Sequence, residues 1–390
     1  MNKATSHFID ASRWIAALLV VLFHAHNIFV NQADIMTAPH HALEYVWWFF
    51  ITFAFAHEGL VMFFVFSGVL VGGAVIQRMK KPEKFFKRYL IDRIVRIYIV
   101  LIPVLAIGFC VDNLGRWLFA GRGVYELPHF AETFQAWLLL PTLASLQGIW
   151  FSTYGTNEPL WSLGMECWYY VVFPLLFLPM AFAYTRTTKI IGGLSGVAVY
   201  AVLALSGSYF AFGFLPWIVG AGARLAPRPL MRSKYLALFL WVAASVIIRL
   251  TVRGSALDQF PTKAIVDGLN ALLCANLILT LRFDTGEGFR FCNTKLHKFM
   301  ADFSYSVYAL HLPILFFLWG ATAELINPGW HAELASLPHY LAALGASALV
   351  LALAYGLSRV TEARTESVRR VAHNLLRSPE RPAQQPATAG

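Results

Sequence analysis

The sequence predicts an all-α, polytopic transmembrane helical bundle of about ten helices, with its N-terminus and C-terminus both cytoplasmic. Three observations predict it. Of the 390 residues, 58% are hydrophobic and only 13% charged, about half the charged share of an ordinary soluble domain. The apolar residues gather into runs of about 17–23, enough to cross a hydrocarbon core roughly 30 Å thick. The basic residues concentrate on alternate loops, as a positive-inside orientation requires.

In chain order, the runs place spans at residues 8–30, 57–77, 93–114, 161–182, 188–205, 208–224, 235–251, 263–281, 299–320 and 338–359. The first run is long, holds Arg13 and has no small-residue cleavage site after it. It is therefore expected to stay as a helix and not to be removed as a signal peptide. Residues 43–54 are expected to form a half-helix, and the third span opens on Arg93 and Arg96. Only Ser206, Gly207 and Ser208 divide the fifth span from the sixth, which predicts a tight helical hairpin. The membrane domain is expected over residues 1–360 and a basic cytoplasmic tail over 361–390. Pro, Ala and Gln dominate from Ser378 to Gly390, a composition expected to be disordered.

With the N-terminus inside, the cytoplasmic face takes all of the 31 Lys and Arg except Arg116, Arg122, Arg249, Arg253 and Lys263. The reverse orientation would put nearly all of them outside. The net charge of +10 is then a topology signal, and no nucleic-acid partner is expected. Cys110, Cys167, Cys274 and Cys292 are scattered without metal-ligand spacing. They read as small core residues, and no metal is expected.

Ionisable side chains inside a span are costly, so each needs a reason. Helix 1 carries Arg13 and His24 eleven residues apart. Eleven residues are almost three turns, so both lie on one face, about 16 Å apart along the axis. Asp10 and Asn27 extend the same polar line, which must face the bundle interior or a wet cavity. The ninth span places Ser304, Tyr308 and His311 on one face. With a start near Met300, His311 sits about 16 Å in, at the depth of His24. The fourth span is expected to enter from the outer surface. That puts Glu166 about one turn below it, with Ser162 on the same face. Trp161, Trp168, Tyr169 and Tyr170 read as an interfacial aromatic belt. Arg88, Arg93 and Arg96 form a cytoplasmic basic patch able to hold phosphates.

These residues resemble the motifs of the acyltransferase-3 family of integral membrane acyltransferases. Arg13 and His24 match its helix 1 pair. The segment Phe63-Phe64-Val65-Phe66-Ser67-Gly68 resembles its second-helix motif. Arg93-Ile94-Val95-Arg96-Ile97-Tyr98 resembles its Arg-x-x-Arg-Ile-Tyr segment. Trp161-Ser162-Leu163 through Glu166, and Ser304-Tyr305-Ser306 through His311-Leu312-Pro313, resemble its two further helices. Five motifs in order cover nearly the whole membrane region. The chain departs from the pattern at Val61 and Cys167, where acids are usual, and in a proline delayed to Pro103. The resemblance is to single-domain members without a fused SGNH-type esterase domain.

The resemblance implies transfer of an acyl group, most often acetyl from acetyl-CoA, to a hydroxyl of an exported or membrane-associated glycan or lipid-linked sugar. It implies a bacterial inner membrane and acyl-CoA as co-substrate, with no permanently bound cofactor. On this reading His24 is the general base or a transient acyl carrier. Arg13 positions the donor, and Arg88, Arg93 and Arg96 hold its nucleotide end. Glu166 serves the acceptor side or orients a histidine. Ser67, Gly68, Asn27, Trp161, Ser162, Ser304, Tyr308 and His311 form or support the pocket. The competing expectation is a transporter of a small solute or glycan, in which His, Arg and Glu relay protons. Transporters usually show repeats and paired broken helices, which this sequence does not.

Overall fold

A computed structural model describes residues 1–31, 34, 37–54, 56–251 and 262–376. Arg253, Arg377, Arg381 and the tail from Ser378 lie outside the described residues. The helices are α1 (Lys3–Phe29), α2 (Ala42–Trp48), α3 (Ala56–Ser67), α4 (Gly73–Met79), α5 (Phe86–Leu118), α6 (Pro128–Ala131), α7 (Leu139–Leu143) and α8 (Leu160–Leu176). There follow α9 (Arg186–Ala204), α10 (Phe210–Leu225), α11 (Lys234–Thr251), α12 (Thr262–Arg282), α13 (Lys295–Ala301), α14 (Ser304–Leu325), α15 (Leu337–Val360) and α16 (Thr365–Leu375). The fold is all-α, with no named strand among the described residues.

Among the described residues, eight helical stretches are long and apolar enough to cross a membrane. They match eight of the ten expected spans. The other two are shorter than the sequence suggests: α8 has 17 residues and α10 has 16. The half-helix expected at 43–54 is α2 with a π-helical continuation over Phe49–Ala54. The hairpin between α9 and α10 turns on Gly207, whose φ of +67° favours glycine. Ser206 and Ser208 close it with an Oγ–Oγ contact of 2.7 Å. The ninth span starts later than expected. Lys295–Ala301 is a separate short helix, and α14 begins at Ser304.

Two features position the site. The first is the close approach of α3 to α10 through a π-helical turn at Gly68–Gly72. A Cβ on Gly68 would lie 1.8 Å from the Trp217 carbonyl oxygen, and one on Gly220 would lie 2.0 Å from that of Val65. Only backbone meets backbone there, so small residues are obligatory. The Gly68→Val variant is therefore expected to lose the folded bundle or melt well below wild type in detergent. Overpacking usually costs about 1–3 kcal/mol, and a clash with backbone has no flexible side chain to absorb it. A wild-type melting curve for this variant would refute the packing assignment.

The second feature is the segment that precedes α8. Ser145, Gln147, Thr156 and Asn157 are polar yet at most 3% exposed. Their bonds show the chain dipping back into the bundle. Tyr98 Oη donates to the Leu143 carbonyl (2.6 Å) and Gln147 Nε2 to that of Leu160 (3.0 Å). Thr156 donates its backbone N–H (3.1 Å) and its hydroxyl (2.8 Å) to Asp112. Asn157 Nδ2 donates to the Ala309 carbonyl (2.9 Å), inside α14. A non-helical segment at this depth is tolerable because protein, not lipid, surrounds it.

Candidate functional site

A cavity of about 160 Å³ lies among α1, α3, α5, α8 and α14. Arg13 from α1 and Arg93 and Arg96 from α5 converge on its wall. Eleven-residue spacing from His24 turned Arg13 inward, and the three-residue spacing of Arg93 and Arg96 puts both on one face of α5. The guanidinium of Arg93 sits 6.0 Å from the ring centres of both Tyr89 and Tyr170. Its Nε is buried without a hydrogen-bond partner. Among the described residues, none of the three arginines forms an ion pair. Glu166 and Glu362 act on them only at longer range. Three converging cations with no carboxylate in ion-pair contact make a ready anion site.

Glu166 lies elsewhere than its sequence position suggests. The buried segment delivers the start of α8 deep inside the bundle, where Tyr308 Oη donates to the Pro159 carbonyl (2.9 Å). Tyr308 is only four residues, about 6 Å, into α14. Glu166 is roughly 9 Å further along α8 toward the cytoplasm and shares the cavity with Arg13, Arg93, Arg96 and Ser304. It thus sits on the cytoplasmic side, not one turn below the outer surface. Tyr170 Oη donates to Glu166 Oε1 (2.5 Å), Ser67 Oγ donates to Tyr170 Oη (3.3 Å), and Trp217 Nε1 donates to Ser67 Oγ (3.0 Å). Tyr169 and Tyr170 are buried and do not form the expected interfacial belt.

His24 and His311 meet. Nε2 of His311 is 3.3 Å from Nδ1 of His24, and their ring centres are 5.0 Å apart. The shared depth read from the sequence holds, although His311 lies only about 10 Å from the start of its helix. The bonds also fix the tautomers. Nδ1 of His311 is 2.7 Å from the Tyr308 carbonyl, which can only accept, so Nδ1 carries the proton and Nε2 the lone pair. Nδ1 of His24 faces that lone pair and the Val20 carbonyl (2.8 Å), two acceptors, so it must be the protonated nitrogen. Neutral His24 therefore keeps its lone pair on Nε2. The pair stands behind Tyr308, which lines the cavity, touches Ser162 Oγ at 2.6 Å and has its ring 5.9 Å from that of His311.

Ser67, Ser162 and Ser304 line the cavity as well. Gly68 does not; it packs against α10. Arg88 is exposed and off the cavity wall, and Asn27 is exposed at the outer end of α1. Trp161 is one residue removed from the wall, with its ring 6.0 Å from that of Tyr209. Of the cysteines, Cys274 and Cys292 are buried, but Cys110 is exposed on α5 and is no core residue. Two contributors escaped the sequence reading. Tyr170 is signalled only by standing four residues after Glu166. Glu362 follows the last span, accepts from Ser306 Oγ (2.5 Å), and is marked only as a lone acid between Arg359 and Arg364.

Comparison with known proteins places these features in a family. A family model described as an acyltransferase domain matches residues 6–357. Nodulation protein 10 of Rhizobium leguminosarum bv. viciae is 24% identical over 344 residues, covering 82% of this chain and 84% of that protein. An uncharacterised protein of Haemophilus influenzae is 29% identical over 148 residues, which are 37% of this chain and 58% of that protein. No solved structure matches the chain.

Proposed function

The chain belongs to this acyltransferase family, and we propose that it carries acetyl from cytoplasmic acetyl-CoA to a hydroxyl of an exported or membrane-associated glycan. It is a multi-pass membrane protein; the cell membrane proposed is a bacterial inner membrane, in keeping with the bacterial source of both relatives. The observation that carries the reading is one polar column with two unlike ends. At its cytoplasmic end stand Arg13, Arg93 and Arg96, with no carboxylate in ion-pair contact among the described residues. Further in stands the His24–His311 pair, with a lone pair left on His24 Nε2.

The chemistry follows from these ends. The phosphates of CoA would rest on the arginines, and the pantetheine arm would lead the thioester up the cavity past Tyr170 and Tyr308. His24 Nε2 would take the proton of the acceptor hydroxyl as that oxygen attacks the thioester carbonyl. The tetrahedral intermediate collapses with loss of the CoA thiolate, which receives the proton back from His24. The products are an O-acetyl ester and free CoA thiol. His311 holds the His24 ring in the required tautomer, a positioning role.

The test is CoA release from acetyl-CoA by the purified protein in nanodiscs, with and without extracted membrane glycans, using labelled acetyl. Acceptor-dependent release with label in the glycan is the expected result. Folded protein that releases no CoA with any glycan fraction, yet moves a solute across proteoliposomes, would establish a transporter instead.

A further inference from the structure

Once Glu166 is placed on the cytoplasmic side, the outer end of the column needs other groups to receive an acceptor. The structure supplies them. On α3, Leu60, Phe64 and Ser67 line the cavity, and His57 stands one turn further out on the same side of the helix. Its Nε2 lies 2.7 Å from Asp267 Oδ1 on α12. Tyr209, at the start of α10, donates its hydroxyl to Asp267 Oδ2. The Tyr209 ring meets Trp161 edge-on at 6.0 Å, and Trp161 adjoins the cavity-lining Ser162. The ammonium of Lys263 stands 5.3 Å from the centre of the Tyr209 ring.

We propose that His57, Asp267, Tyr209, Lys263 and Trp161 form a seat for one sugar ring of the acceptor. Asp267 is 3% exposed. It uses one oxygen for His57 and one for Tyr209 and so fixes the orientation of both rings. With Nε2 committed to the carboxylate, the other ring nitrogen, Nδ1, bonds no described residue and can pair with a hydroxyl, which both donates and accepts. The His57 side chain is 30% exposed, so Nδ1 is open to a hydroxyl. Trp161 and Tyr209 offer apolar faces for the C–H side of a pyranose ring. Lys263 adds a positive charge, which suits a uronic acid better than a neutral sugar. A plain interhelical clamp would need His57, Asp267 and Tyr209 but neither the open Nδ1 nor the aromatic pair beside the cavity.

The seat rests on the acyltransferase reading, so its test reads sugar binding separately from catalysis. The full-length protein in nanodiscs is titrated with methyl glucoside, methyl N-acetylglucosaminide and methyl glucuronide, with binding read by saturation-transfer NMR. Wild type is expected to give a saturable response, strongest for the glucuronide. His57→Ala and Tyr209→Phe are expected to raise half-saturation by at least about tenfold, since a site built to bond hydroxyls loses strongly when one partner goes. Lys263→Met, at a partly open side chain, should selectively weaken the glucuronide. Acetyl-CoA affinity should stay unchanged in Lys263→Met. Silence from wild type toward all three glycosides overturns the seat, whether or not CoA is released. So does a wild-type response that none of the variants changes. Sugar binding without any CoA release would instead sink the acyltransferase reading and leave the seat standing.

Discussion

His24→Ala is expected to lower acceptor-dependent CoA release by about 10²–10⁴, the usual worth of a positioned general base, while acetyl-CoA still binds. The reason is geometric. In the neutral pair the Nδ1 proton of His24 is committed to two acceptors, the Val20 carbonyl and His311 Nε2. One nitrogen is thereby reserved for structure and the other for chemistry. His311→Ala should cost less, because the Val20 carbonyl alone still holds the tautomer. It should act on kcat and leave the donor affinity unchanged. The measurement is thiol-coupled CoA release beside a direct acetyl-CoA titration of each variant. Equal release by wild type and His24→Ala would remove His24 from the mechanism. A loss of donor binding as large as the loss of rate would make it a packing residue.

Arg93 should dominate donor affinity. Its guanidinium lies between two tyrosine rings and has a buried Nε with no partner, so a phosphate arriving there meets a desolvated, oriented donor. Hydrogen bonds to charged groups contribute about 1.5–3 kcal/mol, so Arg93→Ala is expected to raise the Kd for acetyl-CoA by roughly 10–150-fold. Arg93→Lys should rescue little. A lysine keeps the charge but lacks the planar fork that fits between the rings and grips two oxygens. The affinity of wild type and of Arg93→Lys should also fall with salt more steeply than that of Arg93→Ala, which lacks the charge. Wild-type affinity in Arg93→Lys would show that charge alone, not the stacked geometry, holds the donor.

Much of this was legible in the sequence, and the failures have physical causes. Eleven-residue and seven-residue spacings sent Arg13, His24, Ser304 and His311 to one interior column, because helical periodicity survives any error in where a helix starts. Depth is another matter: measured from Ser304, His311 lies only about 10 Å in, and its contact with His24 comes from how α1 and α14 pack. Glu166 went to the wrong side because Ser145, Gln147, Thr156 and Asn157 carry no periodic signal. Their burial comes from tertiary bonds to Asp112, Leu160 and Ala309. Arg88 shares the composition of the basic patch but not the phase of Arg93 on the helix. Asp267 was hidden for the opposite reason. It is an isolated acid near the end of a span, and only the folded chain reveals its neighbours His57 and Tyr209.

The buried segment before α8 also changes how far anything must travel. A bilayer normally sets about 30 Å of hydrocarbon between two aqueous phases. Here the chain reaches inward from the outer side to Pro159, where the Tyr308 hydroxyl meets its carbonyl, while the arginine-lined hollow reaches toward the same tyrosine from the inner side. Between that carbonyl and the hollow stand Tyr308 and Ser162, in contact at 2.6 Å, so protein and not hydrocarbon fills the gap. In the proposed reaction, donor and acceptor would meet at this fixed septum without any rocking of helix bundles. Thioester cleavage would then give the step its direction, and no conformational pumping would be needed. The demand on the protein would be insulation: these side chains would have to hold back protons and ions between turnovers.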